Sequence, residues 1–416
     1  MKIAIISSGF LPVVDGVTVT GLYRLQKLSD WGHQILLFCP DYSEIEHIYP
    51  NWREYTGEIM PGVEVVNLAS TPFLDIDFER NVSRKSYQTL LYELKKFQPD
   101  LVHVDEPERL FTGFLRVAGV DFAKRYDLPC VTFFRTNFLD YLDDYFPLHP
   151  VAMTGVKFGF KKFLARVYNS YDVTMTQSIV TKEKTIEIGI KNSIFANLTG
   201  VNTEVFNPEL RQENFFANNY QNPKLDRQIK LIFIGRLTPD KGWNFTIKAF
   251  AEVARAMDLK NVALLIAGDG QMREEIATEL SQFTPNVCML GRVAPEEMPA
   301  LLANSDIHVT TSEKETKGLT VLEAFAVGIP VLAPNAGGVI TSIENGENGF
   351  LFEPQNIQDF TQKLQQLVED SALREAMGIK ARNYVVENSS YENTAKNMVK
   401  IWQEQIELKN NSISRK

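Results

Sequence analysis

Short apolar runs of strand length, separated by stretches of helical periodicity, recur along the whole chain. This alternation restricts the fold more than any other feature. In the first half the runs are 2–7, 34–39, 63–67, 101–104, 130–134 and 173–176. In the second half they are 229–234, 263–267, 287–290, 307–311, 330–333 and 349–352. Helical patterns such as 19–31, 84–97, 244–257 and 272–282 lie between them. Such alternation predicts a parallel, doubly wound α/β sheet. Its occurrence twice predicts two Rossmann-like domains facing across a cleft, which suits 416 residues better than a single core. The stretch NPELRQENFFANNYQNPKLDRQ (207–228) is polar and aperiodic and reads as a linker or irregular segment at the domain boundary.

Charge and cysteine usage narrow the class. Formal net charge is −9. Residues 1–205 carry 21 basic and 25 acidic residues, and the remainder 22 and 27. Neither half is basic, so nucleic-acid binding by bulk electrostatics is not expected. Cys39, Cys130 and Cys288 are too scattered for a disulfide framework or a zinc site, and they fit a reducing, cytoplasmic setting. The opening MKIAIISSGFLP reads as a strand rather than a secretory signal. No run approaches the roughly 20 apolar residues that span a bilayer.

Ligands of doubly wound sheets sit beyond the C-terminal ends of the strands. Residues that directly follow strands therefore carry the functional signal. In LIFIGRLTPDKGWNFTIKAF (231–250), Arg236 and Lys241 flank one loop after a buried strand. Two cations there suit a phosphate or diphosphate, Arg by its fork and Lys as a point charge. A solvated charged loop is the bland alternative. In SEKETKGLTVLEAFAVGIPVLAP (312–334), Gly318 precedes a helix whose N-terminus offers unpaired N–H groups and a positive dipole end. Glu315 comes just before that helix and Glu323 lies within it. Carboxylates accept hydrogen bonds from the hydroxyls of ribose or hexose, although a glutamate near a helix start also compensates the dipole.

Together these pieces resemble a known family. Gly235-Arg236-x4-Lys241-Gly242 is followed by Glu315-x7-Glu323-Ala324-x3-Gly328-x-Pro330-Val331. This order and spacing resembles the retaining family 4 glycosyltransferases of GT-B fold. Pro12, Asp15-Gly16-Val17 and Gly32-His33 resemble the family's first loop and helix, and GVNTEVFNP (200–208) its interdomain junction. The resemblance implies a first domain of 1–206 joined by a C-terminal helix (390–416) that crosses back to it, and a second domain of 207–389. It implies a nucleotide-sugar donor, UDP- or GDP-linked, a lipid or glycan acceptor, and no required metal or other cofactor. Arg236 and Lys241 would hold the diphosphate, Glu323 the ribose and Glu315 the donor-sugar hydroxyls. The backbone of Gly318 and Leu319 would lie near sugar and phosphate. Arg292 and Val293 fall where the family holds the base, and Gly16 would approach the diphosphate from the first domain. Arg236, Lys241, Glu315 and Arg135 are the expected catalytic set. Asp15, Asp105 and Asn137 are the acceptor-side candidates.

Two departures from the family pattern stand out. VTFFRTNFLDY (131–141) carries Arg135 where many relatives have histidine beside the donor sugar, and Lys317 replaces an apolar residue before Gly318. Both add positive charge and point to an anionic donor sugar or acceptor, or to altered activity. On the expectation that Arg135 lines a cleft, its truncation should leave the fold intact. Asp75-Ile76-Asp77 has a metal-pair spacing but reads as a polar loop. His103 reads as a satisfied core histidine, and Trp402, on the helical pattern 391–408, as packing. GVKFGFKKFLARVYNSY (155–171) mixes four basic residues with phenylalanines and contains no acidic residue, so it reads either as a half-buried helix or as a docking surface for the inner face of a membrane. Two rival functions stay open on sequence: a nucleotide-sugar epimerase of the same fold, and a degenerate nucleotide-sugar-binding protein.

Overall fold

Apolar runs without polar alternation belong to strands covered on both faces. The computed structural model shows this directly, and it describes residues 1–13, 16–73, 76–135, 139 and 149–413. All of the expected strands form. In chain order the strands of the first unit are β1 (Lys2–Ile6), β2 (Gln34–Pro40), β3 (Gly57–Met60), β4 (Val63–Leu68), β5 (Ser70–Phe73), β6 (Ile76–Val82), β7 (Leu101–Asp105), β8 (Cys130–Phe134), β9 (Val173–Thr176) and β10 (Ser193–Phe195). Those of the second unit are β11 (Ile229–Ile234), β12 (Val262–Ala267), β13 (Val287–Gly291), β14 (Ile307–Val309), β15 (Val331–Pro334) and β16 (Gly349–Phe352). Every residue of β7, β8 and β12 is buried.

The first sheet has the order β10-β9-β8-β7-β1-β2-β4-β3 and is parallel except for the β3–β4 pair. The second has the order β13-β12-β11-β14-β15-β16 and is parallel throughout. β5 and β6 form a separate antiparallel hairpin. In each sheet the chain winds outward on one side and then returns to build the other side. The direction reverses between β1 and β7 in the first sheet and between β11 and β14 in the second. Ligands of such sheets bind at this reversal, beyond the C-terminal strand ends.

The sequence did not signal β3, β10 or the β5–β6 hairpin. β3, β5 and β10 are short and partly exposed, and β6 (IDFERNV) mixes charged with apolar residues, so apolar periodicity is weak in all four. Of the Asp75-Ile76-Asp77 pair, Asp75 lies outside the described residues and Asp77 falls on β6 rather than in a loop.

The chain divides into two units, residues 1–198 with 391–416, and residues 199–390. The division comes earlier than the expected 206/207. Val201 bonds through its N–H to the carbonyl of Ser389, and Phe206 packs on the core of the second unit. The stretch 207–228 is an irregular segment of the second unit rather than a linker. Phe215, Phe216 and Leu225 are buried in the second core, and the helix Phe215–Tyr220 has two N–H groups held by Asp226. Aromatic anchors among asparagines escape a periodicity test.

The C-terminal helix Tyr391–Ile413 belongs to the first unit, as expected. Tyr391 stacks on Tyr23, with ring centroids 4.6 Å apart, and Trp402 is fully buried.

Candidate active site

In the second unit the residues singled out by sequence gather at the reversal between β11 and β14. The loop after β11 carries Arg236 and Lys241, and the loop after β14 carries Glu315. Gly242 lets the two loops meet. Its φ is +80°, and a Cβ there would lie 2.2 Å from the carbonyl oxygen of Thr311. The Thr311 hydroxyl donates to the Lys241 carbonyl at 3.2 Å and pairs with the Thr246 hydroxyl at 2.8 Å. Lys241 Nζ consequently reaches Glu315 Oε1 at 2.6 Å, and both side chains remain about one-quarter exposed. Arg236 is half exposed and donates to Asp240 Oδ2 at 3.0 Å.

The helix Leu319–Ala326 begins beside this pair. Gly318 caps it with φ +76°, and a Cβ would stand 2.7 Å from Val339 Cγ1. The glycine is thus required by the fold, whatever ligand approaches it. His308, in β14, fixes the helix start. Burial pushes its pKa down to about 4, so the ring is neutral. Nδ1–H donates to the Ile232 carbonyl at 3.0 Å, leaving Nε2 to accept from the Thr320 hydroxyl at 3.1 Å. Sequence reasoning passed over this histidine. Its signal was a lone imidazole inside the apolar strand DIHVTT.

The Glu323 side chain makes no hydrogen bond to any described residue, and burial pushes its carboxyl up to about 8. Near neutral pH it therefore holds a proton and can donate as well as accept, unlike the acceptor-only carboxylate expected. Lys317 is buried. Arg292 and Val293 follow β13, two strands from β11. Arg292 is exposed with Asp269 Oδ2 3.9 Å away, and Val293 packs on the core.

The first unit corrects the sequence reading. Arg135 Nη2 donates to Asp105 Oδ2 at 2.9 Å, and both side chains are over nine-tenths buried. The guanidinium also lies 4.6 Å from the Phe133 ring centre. Arg135 therefore does not present an unpaired charge, and Asp105 is not an open acceptor-side carboxylate. Burial alone would raise the Asp105 pKa, but Arg135 and His103 outweigh it and hold the carboxyl well below the usual range. Trp402 Nε1–H donates to His103 Nδ1 at 3.1 Å, so the imidazole proton sits on Nε2 and points to Asp105 Oδ1 at 3.0 Å. His103 is a satisfied core histidine, as expected. Gly16 is the first residue of the helix Gly16–Asp30, and Asp15 and Asn137 lie outside the described residues.

Glu106 occupies the reversal in the first sheet. It has left-handed backbone angles (φ 49°, ψ 60°) uncommon for a residue with a side chain, and it accepts a hydrogen bond from Ser8, which follows β1. No sequence pattern distinguishes it from Asp105 beside it.

Parallel strands on two doubly wound sheets, with charged loops at each reversal, define a doubly wound α/β class that takes ligands beyond its strand ends, and comparison with known proteins identifies the family. Residues 14–205 match the model described as Glycosyltransferase Family 4, and residues 215–384 match Glycosyl transferases group 1. The chain belongs to this glycosyltransferase family. A GDP-mannose-dependent alpha-mannosyltransferase of Corynebacterium glutamicum is 27% identical over 88% of this chain and 79% of its own. A sulfoquinovosyl transferase of Arabidopsis thaliana is 28% identical over 70% of this chain and 54% of its own. An alpha-monoglucosyldiacylglycerol synthase of Streptococcus pneumoniae is 24% identical over 80% and 71%. Among solved structures, a sucrose-phosphate synthase of Thermosynechococcus elongatus superposes with TM-score 0.73 at 17% identity, covering 97% of this chain and 98% of that one. Anabaena Alr3699/HepE in complex with UDP gives 0.70 at 18%, covering 97% and 100%. The fold is GT-B.

Proposed function

We propose that the protein transfers a hexosyl group from a UDP- or GDP-linked sugar to a lipid or glycan acceptor with retention of configuration. The observation that carries this reading is the Lys241–Glu315 pair spanning the β11–β14 reversal beside the 319–326 helix N-terminus. A hexose on a nucleoside diphosphate has a good leaving group once the charge growing on the diphosphate is neutralised. Fixed cations and a helix N-terminus neutralise it without reorganising at the moment of reaction. Arg236 and Lys241 take the diphosphate in this reading, Glu315 the sugar hydroxyls and Glu323 the ribose, with Arg292 and Val293 near the base. The departing phosphate oxygen accepts the proton of the acceptor. The neutralising charges are the protein's own cations, and no metal ion is assigned a part. On the acceptor side, Glu106 with Ser8 replaces Asp105 as the candidate for binding a hydroxyl. Relatives whose printed names denote GDP-mannose-dependent, sulfoquinovosyl and glucosyldiacylglycerol activities support this substrate class.

A lipid acceptor suits the helix Pro150–Tyr168. Leu164 and Tyr168 anchor it in the core, while Val156 and Phe158 stand exposed beside Lys157, Lys161 and Lys162. Lys162 Nζ lies 4.4 Å over the Phe158 ring. Exposed aromatics among cations favour an anionic lipid surface. No helix among the described residues is long and apolar enough to cross a membrane.

The test is turnover with UDP- and GDP-hexoses over a panel of lipid and glycan acceptors, alongside calorimetry of UDP and GDP. Lys241→Ala and Arg236→Ala should each weaken diphosphate binding about 10- to 100-fold, the scale of one charged hydrogen bond. Unchanged affinity in both variants would sink the donor-site assignment. Sugar conversion without any acceptor would make the protein an epimerase instead.

A further inference from the structure

Lys317 is an ammonium buried without a counter-charge among the described residues. Its exposure is 2%, and Nζ has no hydrogen-bond partner among the described residues. The other cations that the sequence placed at the donor or among the catalytic residues each have a carboxylate: Lys241 has Glu315, Arg236 has Asp240, Arg292 has Asp269, and Arg135 has Asp105. Lys317 alone does not. Burial, with no neighbouring charge contributing, pushes its pKa down to about 8, so much of it is still charged near neutral pH. An unpaired buried ammonium is among the most costly groups a fold can hold, and a methionine or leucine would fill the same space without that cost. Such a group persists where something outside the chain completes it.

The surroundings indicate what that is. Lys317 immediately precedes Gly318, the cap of the 319–326 helix, and follows Glu315 by two residues. The Gly338 N–H donates to the Glu315 carbonyl at 2.5 Å, which ties the 315–318 loop to the segment Gly337–Thr341. The first N–H groups of the 319–326 helix and its dipole favour an anion at the same end. We infer that Lys317 receives an oxyanion of the donor at the start of this helix. The inference rests on the donor-site reading above and deepens it, because it names the charge on the donor that this site would read. The oxyanion has two sources on a nucleotide sugar: the diphosphate, or a carboxylate or sulfonate carried by the hexose. Arg135, already satisfied by Asp105, does not serve this role.

The variant Lys317→Met keeps the apolar stem and removes the charge. Without ligand it should unfold at a higher urea concentration than wild type, because an uncompensated charge has gone. Calorimetry then compares wild type and variant with inorganic pyrophosphate, UDP, GDP, UDP-glucose and UDP-glucuronate. A loss of about 10- to 100-fold common to pyrophosphate and the nucleotides assigns Lys317 to the diphosphate. A loss confined to the hexuronate assigns it to an anionic donor sugar. Equal affinities for every ligand would overturn the inference, as would a variant less stable than wild type with binding unchanged, since that marks a structural lysine. Lys317→Gln provides the same comparison if the methionine variant misfolds. If wild type binds neither UDP nor GDP, the donor-site reading fails, while pyrophosphate binding and unliganded stability still judge Lys317 by itself.

Discussion

Replacing Arg135 with alanine should destabilise the first unit, contrary to what its sequence context implied. Asp105 is 6% exposed and Arg135 8%, so neither charge is much screened by water. Truncation leaves the Asp105 carboxylate with the His103 Nε2–H as its remaining hydrogen bond between side chains. Removing one partner of a buried pair costs about 3–5 kcal/mol, against a total stability of about 5–15 kcal/mol for a typical domain. Urea denaturation followed by tryptophan fluorescence suits the measurement, because Trp402 bonds to His103 in this network. The pH profile separates lost pairing from lost packing. In wild type the depressed Asp105 pKa contributes stability above the ordinary carboxylate range, and this is lost as pH falls through the folded value. In Arg135→Ala the carboxyl titrates higher, so acidification from pH 7 towards 4 should relieve part of the defect. The double variant Asp105→Asn/Arg135→Met should be closer to wild type than Arg135→Ala, a coupling read from the double-mutant cycle. An Arg135→Ala protein within about 0.5 kcal/mol of wild type, a shift typical of surface substitutions, would refute the reasoning.

Trp402→Phe removes the Nε1–H that donates to His103 Nδ1 and should cost about 1–3 kcal/mol in urea denaturation, with Asp105 less well held. Glu108 is buried, and burial together with Glu106 pushes its carboxyl up to about 8. Its contribution is full below pH 4.5 and is lost as pH rises through 8, so Glu108→Gln should flatten the stability profile over that range and gain a few kcal/mol at pH 8, at about 1.4 kcal/mol per unit of pKa displacement. Gly242→Ala must relieve a 2.2 Å contact with the Thr311 carbonyl at φ +80°, and calorimetry should show UDP or GDP binding weakened at least as much as in Lys241→Ala. In liposome flotation the protein should bind anionic vesicles in a salt-sensitive manner. A Lys161→Glu/Lys162→Glu variant that floats like wild type would remove the Pro150–Tyr168 helix from the docking surface.

Local sequence determined the strands and the order of the candidate residues. A strand covered on both faces must be near-continuously apolar, and that pattern survives in β1, β8, β11 and β12 without reference to anything distant. Glycines and charges directly after those strands marked Arg236, Lys241, Glu315 and Gly318 for the same reason. Tertiary structure decided which groups meet. Lys241 finds Glu315, and Trp402 finds His103, only because strand order places β11 beside β14 and the C-terminal helix on the first sheet. It also decided which charges are satisfied. Arg135 and Lys317 look alike in sequence, as two extra cations near one reaction. In the folded chain one is closed off by Asp105 and the other is buried with no partner among the described residues. Pairing and desolvation depend on the distance to groups far away along the chain, and no local period encodes that distance.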